Sequence, residues 1–198
     1  MKKFWTIAVV LLLVAVVASP TFAQKKMNLG VGADILLPIG DFGNAYSLGF
    51  GGSARFQYNF TPVIGAGVNI GYYTWSAKSV AAGAVKPTFS GLPVRVYGKY
   101  YFMPETAKAR FYGMAELGLF FWSSKVTLPV INTPIGPIGG GEQSATGSDF
   151  NACPVVGVEF PLGSLTMDVS ARYDMIFTSG SSTGNIGARV GVNFPIGN

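Results

Sequence analysis

The segment Met167-Asp168-Val169-Ser170-Ala171-Arg172-Tyr173-Asp174-Met175 places apolar side chains mostly at odd positions and charged or hydroxyl side chains at even ones. Successive side chains of a strand point to opposite faces, so this stretch has one apolar face and one ionic face. The same alternation recurs along the chain. It predicts eight strands, near 26–37, 48–60, 63–75, 89–102, 109–122, 150–160, 165–177 and 185–194. These lengths suit the ~9–11 residues that a tilted strand needs to cross a bilayer. Eleven charged residues fall inside the strands: Asp34, Arg55, Arg95, Lys99, Arg110, Glu116, Glu159, Asp168, Arg172, Asp174 and Arg189. All eleven lie on the polar parity. The opposite parity carries residues such as Leu29, Val31, Ile35, Phe56, Val68, Ile70, Val94, Val96, Leu117, Leu119, Val190 and Val192. The pattern predicts an all-β chain, an eight-stranded antiparallel up-and-down transmembrane β-barrel with lipid outside and a polar interior. A one-residue register slip would turn the charged set outward, at about 2–4 kcal/mol for each Lys or Arg near the midplane.

The punctuation between strands agrees. Strands two, four, six and eight end in an apolar-parity Phe followed closely by Pro: Phe60-Thr61-Pro62, Phe102-Met103-Pro104, Phe160-Pro161 and Phe194-Pro195. Proline lacks the N–H that a ladder needs, and aromatic rings favour the membrane–water boundary. Phe60, Phe102, Phe160 and Phe194 are therefore expected in a periplasmic aromatic girdle, with the prolines ending the ladders. Connections near 61–62, 103–108 and 161–164 are short. Those near 38–47, 76–88 and 123–149 are longer, and 178–184 is intermediate. Short periplasmic turns and long external loops are the outer-membrane arrangement.

Composition sharpens the location. Charged residues make up 12% of the chain, against about 25% in soluble domains, and the mean hydropathy is +0.39. Lys2 and Lys3 precede an apolar run from Phe4 to Ala18 broken only by Thr6, and Thr21 and Ala23 supply small residues before Gln24. This reads as a cleaved signal peptide over 1–23, followed by one barrel domain over 24–198. The run is shorter than the ~20 residues of a spanning helix, which argues against an uncleaved anchor. Loss of the two leader lysines takes the formal charge from +5 to +3, and no basic cluster suggests nucleic acid. Cys153 is the only cysteine, so no internal disulfide can form. With no histidine and no acidic loop cluster, no metal and no cofactor are expected.

Three stretches also carry a resemblance: Gly91-Leu92-Pro93-Val94-Arg95-Val96-Tyr97-Gly98-Lys99-Tyr100-Tyr101-Phe102, Gly157-Val158-Glu159-Phe160-Pro161-Leu162 and Val169-Ser170-Ala171-Arg172-Tyr173. With the eight-strand pattern, they make residues 26–194 similar to the small outer-membrane β-barrel family related to OmpX and the OmpA transmembrane domain. The resemblance implies an architecture rather than a reaction. It also implies delivery by periplasmic chaperones and the barrel-assembly machinery. Many such proteins end on an aromatic residue read by that machinery, whereas four residues follow Phe194 here. The enzymes that resemble this fold, lipid A deacylases, palmitoyltransferases and omptin proteases, rely on a histidine that this chain lacks.

The expected function is accordingly non-enzymatic: a monomeric integral outer-membrane protein of a Gram-negative envelope, with a structural or surface-interaction role in adhesion or envelope integrity. Asp168, Arg172 and Asp174 share one strand face and read as an internal ion-pair network rather than a catalytic cluster. Glu116 and Glu159 are expected to pair with Arg95, Lys99 or Arg110. Eight strands leave a bore just wide enough for its own side chains, so no open pore is expected. The region 123–149 is unusually apolar for a loop, through Leu128, Val130, Ile131, Ile135 and Ile138. It could extend strands five and six above the membrane and meet a surface protein partner. Two alternatives are a narrow channel for small or hydrophobic solutes and a soluble periplasmic lipocalin-like binder with the faces reversed.

Overall fold

The computed structural model describes residues 26–78, 87–133, 136–178 and 181–196. The leader over 1–23 and the loop residue Ile135 lie outside this set. Eight strands follow in chain order: β1 Met27–Ile39, β2 Tyr46–Asn59, β3 Ile64–Ala77, β4 Thr88–Tyr101, β5 Arg110–Thr133, β6 Gly136–Leu162, β7 Leu165–Thr178 and β8 Ser181–Ile196. Each pairs antiparallel with its sequence neighbours, and β1 pairs with β8 from Met27↔Ile196 to Ile39↔Gly184, closing the barrel. Closure leaves no strand edge exposed to hydrocarbon, where an unpaired backbone group would go unsolvated.

The alternation sorts the faces as the strand period demands. Val96 is 63% exposed, whereas its neighbour Arg95 is 2% exposed. Leu29, Val31, Ile35, Ile70, Leu117, Leu119, Val169 and Val190 likewise face outward. The inward face is crowded enough to need glycines. A Cβ on Gly32 would lie 2.6 Å from the Arg189 guanidinium, and one on Gly157 would lie 2.5 Å from the Tyr112 ring.

The connections depart from expectation in three places. Residues Gly40–Ala45 form a short helix, α1, between β1 and β2. The stretch 123–149 is not a loop in its described part: β5 and β6 continue as one hairpin, paired through to Thr133↔Gly136. The prolines do not all stop their ladders. Pro161 pairs opposite Thr166 and Pro195 opposite Asn28, each followed by one more strand residue. A proline costs one donor, which a strand end tolerates better than a strand centre. Two of the turns at the periplasmic end are tight. Thr61 Oγ1 accepts the Ile64 N–H at 2.9 Å in the β2–β3 turn. Gly163 takes φ +64° in the two-residue β6–β7 turn, a conformation that suits glycine.

Candidate functional site

The inward parity passes through three layers. The middle layer is ionic. Asp34 on β1, Arg55 on β2, Arg95 and Lys99 on β4, Glu116 on β5, Glu159 on β6, Asp168, Arg172 and Asp174 on β7 and Arg189 on β8 are all buried. They are five cations and five carboxylates.

Eight of these ten, with Ser53, form a closed circuit of contacts. Arg55 reaches Glu116 at 3.4 Å and Asp168 at 3.5 Å. Asp168 holds Arg189 at 2.6 Å. The Arg189 Nε donates to Ser53 Oγ at 3.0 Å, and that hydroxyl donates to Asp34 at 2.7 Å. Arg172 bridges Asp34 and Asp174, each at 3.1 Å. Arg95 closes the circuit through Asp174 at 2.5 Å and Glu116 at 3.1 Å. The contacts from β2 to β5 and β7, and from β4 to β7, join strands that are not neighbours in the sheet, so they span the bore.

Neutral groups add to the coordination. Asn69 donates to both Glu116 oxygens at 3.0 and 2.9 Å. The Tyr112 hydroxyl donates to Asp168 at 2.6 Å, and Asn151 accepts from Arg95 Nε. Lys99 pairs with Glu159 on the periplasmic side, where the Tyr101 hydroxyl adds a 3.0 Å bond to the same carboxylate. Isolated buried charges would be prohibitively costly, and oppositely charged partners offset that cost; the Arg172 nitrogens meet Asp34 and Asp174 as ion pairs without a well-directed hydrogen bond.

Arg110 stands apart from this layer. It is half-buried at the periplasmic rim, donates to the Pro62 carbonyl at 2.6 Å and lies 3.8 Å over the Tyr101 ring. Of the pairings expected for the two glutamates, Arg95–Glu116 and Lys99–Glu159 form. Arg110 bonds backbone although it stands directly opposite Glu159 in the β5–β6 ladder, because Lys99 and the Tyr101 hydroxyl already hold that carboxylate.

Two apolar layers flank the charges. On the periplasmic side Tyr97, Tyr101, Tyr112, Met114, Cys153 and Val155 pack together. On the external side Leu36, Tyr73, Trp75, Phe120 and Ile176 do so, with Phe42, Tyr46, Phe89 and Trp122 against them. These inward aromatics follow the charged parity outward, as in Glu116-Gly118-Phe120-Trp122 and Asn69-Gly71-Tyr73-Trp75. Continuing the parity count to the strand ends was the signal that would have found them. A cavity of about 210 Å³ opens at the periplasmic mouth and one of about 250 Å³ at the external mouth, with no lining residue in common.

The four Phe-Pro phenylalanines gather at the periplasmic end. Phe60 (37% exposed), Phe102 (63%) and Phe194 (41%) face outward, and Phe160 is half-buried. At the other end Leu128, Val130 and Ile131 lie on the β5 arm of the hairpin and Ile138 on the β6 arm. Lys125 and Glu142 pair across the hairpin at 3.2 Å, both well exposed.

The outer membrane protein beta-barrel domain family matches residues 9–194. The chain belongs to that family. It resides in the cell outer membrane, with membrane lipid against its apolar flank. The alternative of a soluble periplasmic binder falls with this finding and with the outward apolar face. No curated protein matches the chain. Its fold is similar to that of solved outer-membrane proteins, among them the following three. A major outer membrane protein from Thermus thermophilus is 14% identical with TM-score 0.62, covering 85% of this chain and 98% of its own. Neisserial surface protein A is 14% identical with TM-score 0.61, covering 89% and 100%. Ail, the attachment invasion locus protein of Yersinia pestis, solved with the heparin analogue sucrose octasulfate, is 14% identical with TM-score 0.55, covering 85% and 96%.

Proposed function

We propose that this barrel is a non-enzymatic surface-interaction protein whose bore is packed shut by its own side chains. The observation that carries this reading is the β5–β6 hairpin. The last β4 partner of β5 is Thr88 opposite Lys125, and the outermost β7 partner of β6 is Phe177 opposite Phe150. Beyond these points, among the described residues, the two strands pair only with each other, to Thr133↔Gly136. At ~3.3 Å per residue the eight residues that follow Lys125, up to Thr133, carry the hairpin about 26 Å further. Among the described residues neither outer edge is paired, and an open edge is the template onto which a partner strand adds.

The interior supports a role without transport or catalysis. The ionic circuit engages the carboxylates that would otherwise serve as acid–base groups, and the chain has no histidine to replace them. Matched charges that satisfy one another across the bore leave an ion no favourable path. Residues 1–23 act as the cleaved leader, so the inserted form should begin at Gln24. The barrel is assembled from periplasmic chaperones by the barrel-assembly machinery and functions as a monomer.

The test pairs two measurements. Cells displaying the chain without residues 128–139 are expected to lose the retention on matrix-coated or host-cell surfaces that the intact chain confers. Retention equal to that of the intact chain would overturn the assignment to the hairpin. The refolded protein in planar bilayers should give no stable conductance steps, and large reproducible steps would replace the packed bore with a channel.

A further inference from the structure

The external apolar layer does not fill its space. Phe42, Tyr46, Phe89, Phe120 and Trp122 line the cavity of about 250 Å³, and Asp149 stands in its wall. Asp149 brings the only formal charge among the lining residues. The rings are held by one another. Phe42 lies 4.8 Å from Tyr46 and 5.2 Å from Phe89, and Phe89 runs nearly parallel to Trp122 at 6.1 Å. The Trp122 indole N–H donates to Asp149 Oδ2 at 2.7 Å, which fixes the carboxylate beside an aromatic face. The described lysines of this rim are engaged elsewhere: Lys78 donates to the Gly43 carbonyl and Lys125 pairs with Glu142.

We propose that this cavity binds a small organic cation of the quaternary-ammonium class from the external medium. Aromatic faces attract a cation through their quadrupole, most strongly where water is displaced, and they suit an onium group that cannot donate hydrogen bonds. Asp149 supplies the counter-charge. The volume falls just under the ~300–1,000 Å³ of drug-sized pockets, which limits the ligand to about the size of choline. The external cavity is therefore a ligand site independent of the hairpin edges and of the packed ionic layer beneath it.

Choline and its uncharged isostere 3,3-dimethylbutan-1-ol separate cation recognition from mere apolar filling. Both are titrated at constant ionic strength into the refolded full chain in dodecyl maltoside, which carries no choline. The Trp122 indole N–H is followed by NMR. Choline should shift that resonance saturably and bind about tenfold more tightly than the alcohol, as a cation–π site with a counter-charge requires. Asp149→Asn, which keeps the shape and the indole acceptor, should lose most of that preference, and Phe89→Leu should weaken choline binding. The barrel's heat-modifiable migration should stay intact in both. Equal binding of choline and alcohol, an unaffected Asp149→Asn variant or no saturable shift would each overturn the proposal. A glycerophosphocholine arm tells the sources apart: weaker binding than choline assigns the site to a free cation, and tighter binding assigns it to a lipid head group.

Discussion

The barrel wall and the β5–β6 hairpin are built from the same strands but stand under different constraints. Within the wall every strand pairs on both sides, and its inward charges are matched by partners on other strands. Above the rim the hairpin pairs on one side only, and its one described ion pair, Lys125–Glu142, is exposed. The wall is therefore over-determined: lipid, ladder and ionic circuit all demand one register. The hairpin is held by its own ladder alone. Stability resides in the first region, and the second can change without unsettling it.

The largest test of this contrast lies at the centre of the ionic layer. Arg95→Ala would open the circuit, leaving Asp174 to Arg172 and Glu116 to Arg55 and Asn69, and loss of one partner of a buried pair costs about 3–5 kcal/mol. Unfolding by urea in a defined lipid should show it, and an unchanged melting temperature would break the contrast.

A smaller effect is expected on the lipid flank. Val169→Arg should cost about 2–4 kcal/mol if that position lies near the midplane. Spin labels at Val169 and Val190 should contact acyl chains, and labels at Ser170 should be shielded from them.

Above the rim the effects should shrink. Lys125→Ala removes an exposed pair worth at most about 1 kcal/mol, so the same urea titration should barely move. Smallest of all, removal of 128–139 should leave the barrel's unfolding midpoint unchanged, because among the described residues no other strand pairs with that segment. A clear drop in the midpoint would show the hairpin to be part of the stabilising frame.

Much of the wall was legible from alternation alone. Asp168, Arg172 and Asp174 on one parity and Val169 and Tyr173 on the other can satisfy lipid in only one orientation. The Phe-Pro endings marked the periplasmic rim because chain direction reverses at every turn. Arg110 was legible as inward but not as peripheral, since parity carries no depth. The aromatic mouth was missed for the same reason. Trp122 and Glu116 share a parity, and only their height in the membrane separates a ring in an external cavity from a carboxylate in a central circuit. The extension of strands five and six was legible as one option for 123–149, but its paired extent was not, because the prolines and glycines there read locally as loop, whereas ladder pairing between the two arms keeps both extended.

The order of apolar and polar residues was sufficient to decide strand number, facing and membrane location, because a period of two and the cost of charge in hydrocarbon act along a single strand. The choice of Arg95 for Glu116 and Asp174, the meeting of Asp168 with both Arg55 and Arg189, and the space left between Phe89, Trp122 and Asp149 depended on tertiary structure. Closure and shear of the barrel set which inward side chains stand at the same height across the bore. Electrostatic pairing and cavity shape follow from those distances, which no single strand contains.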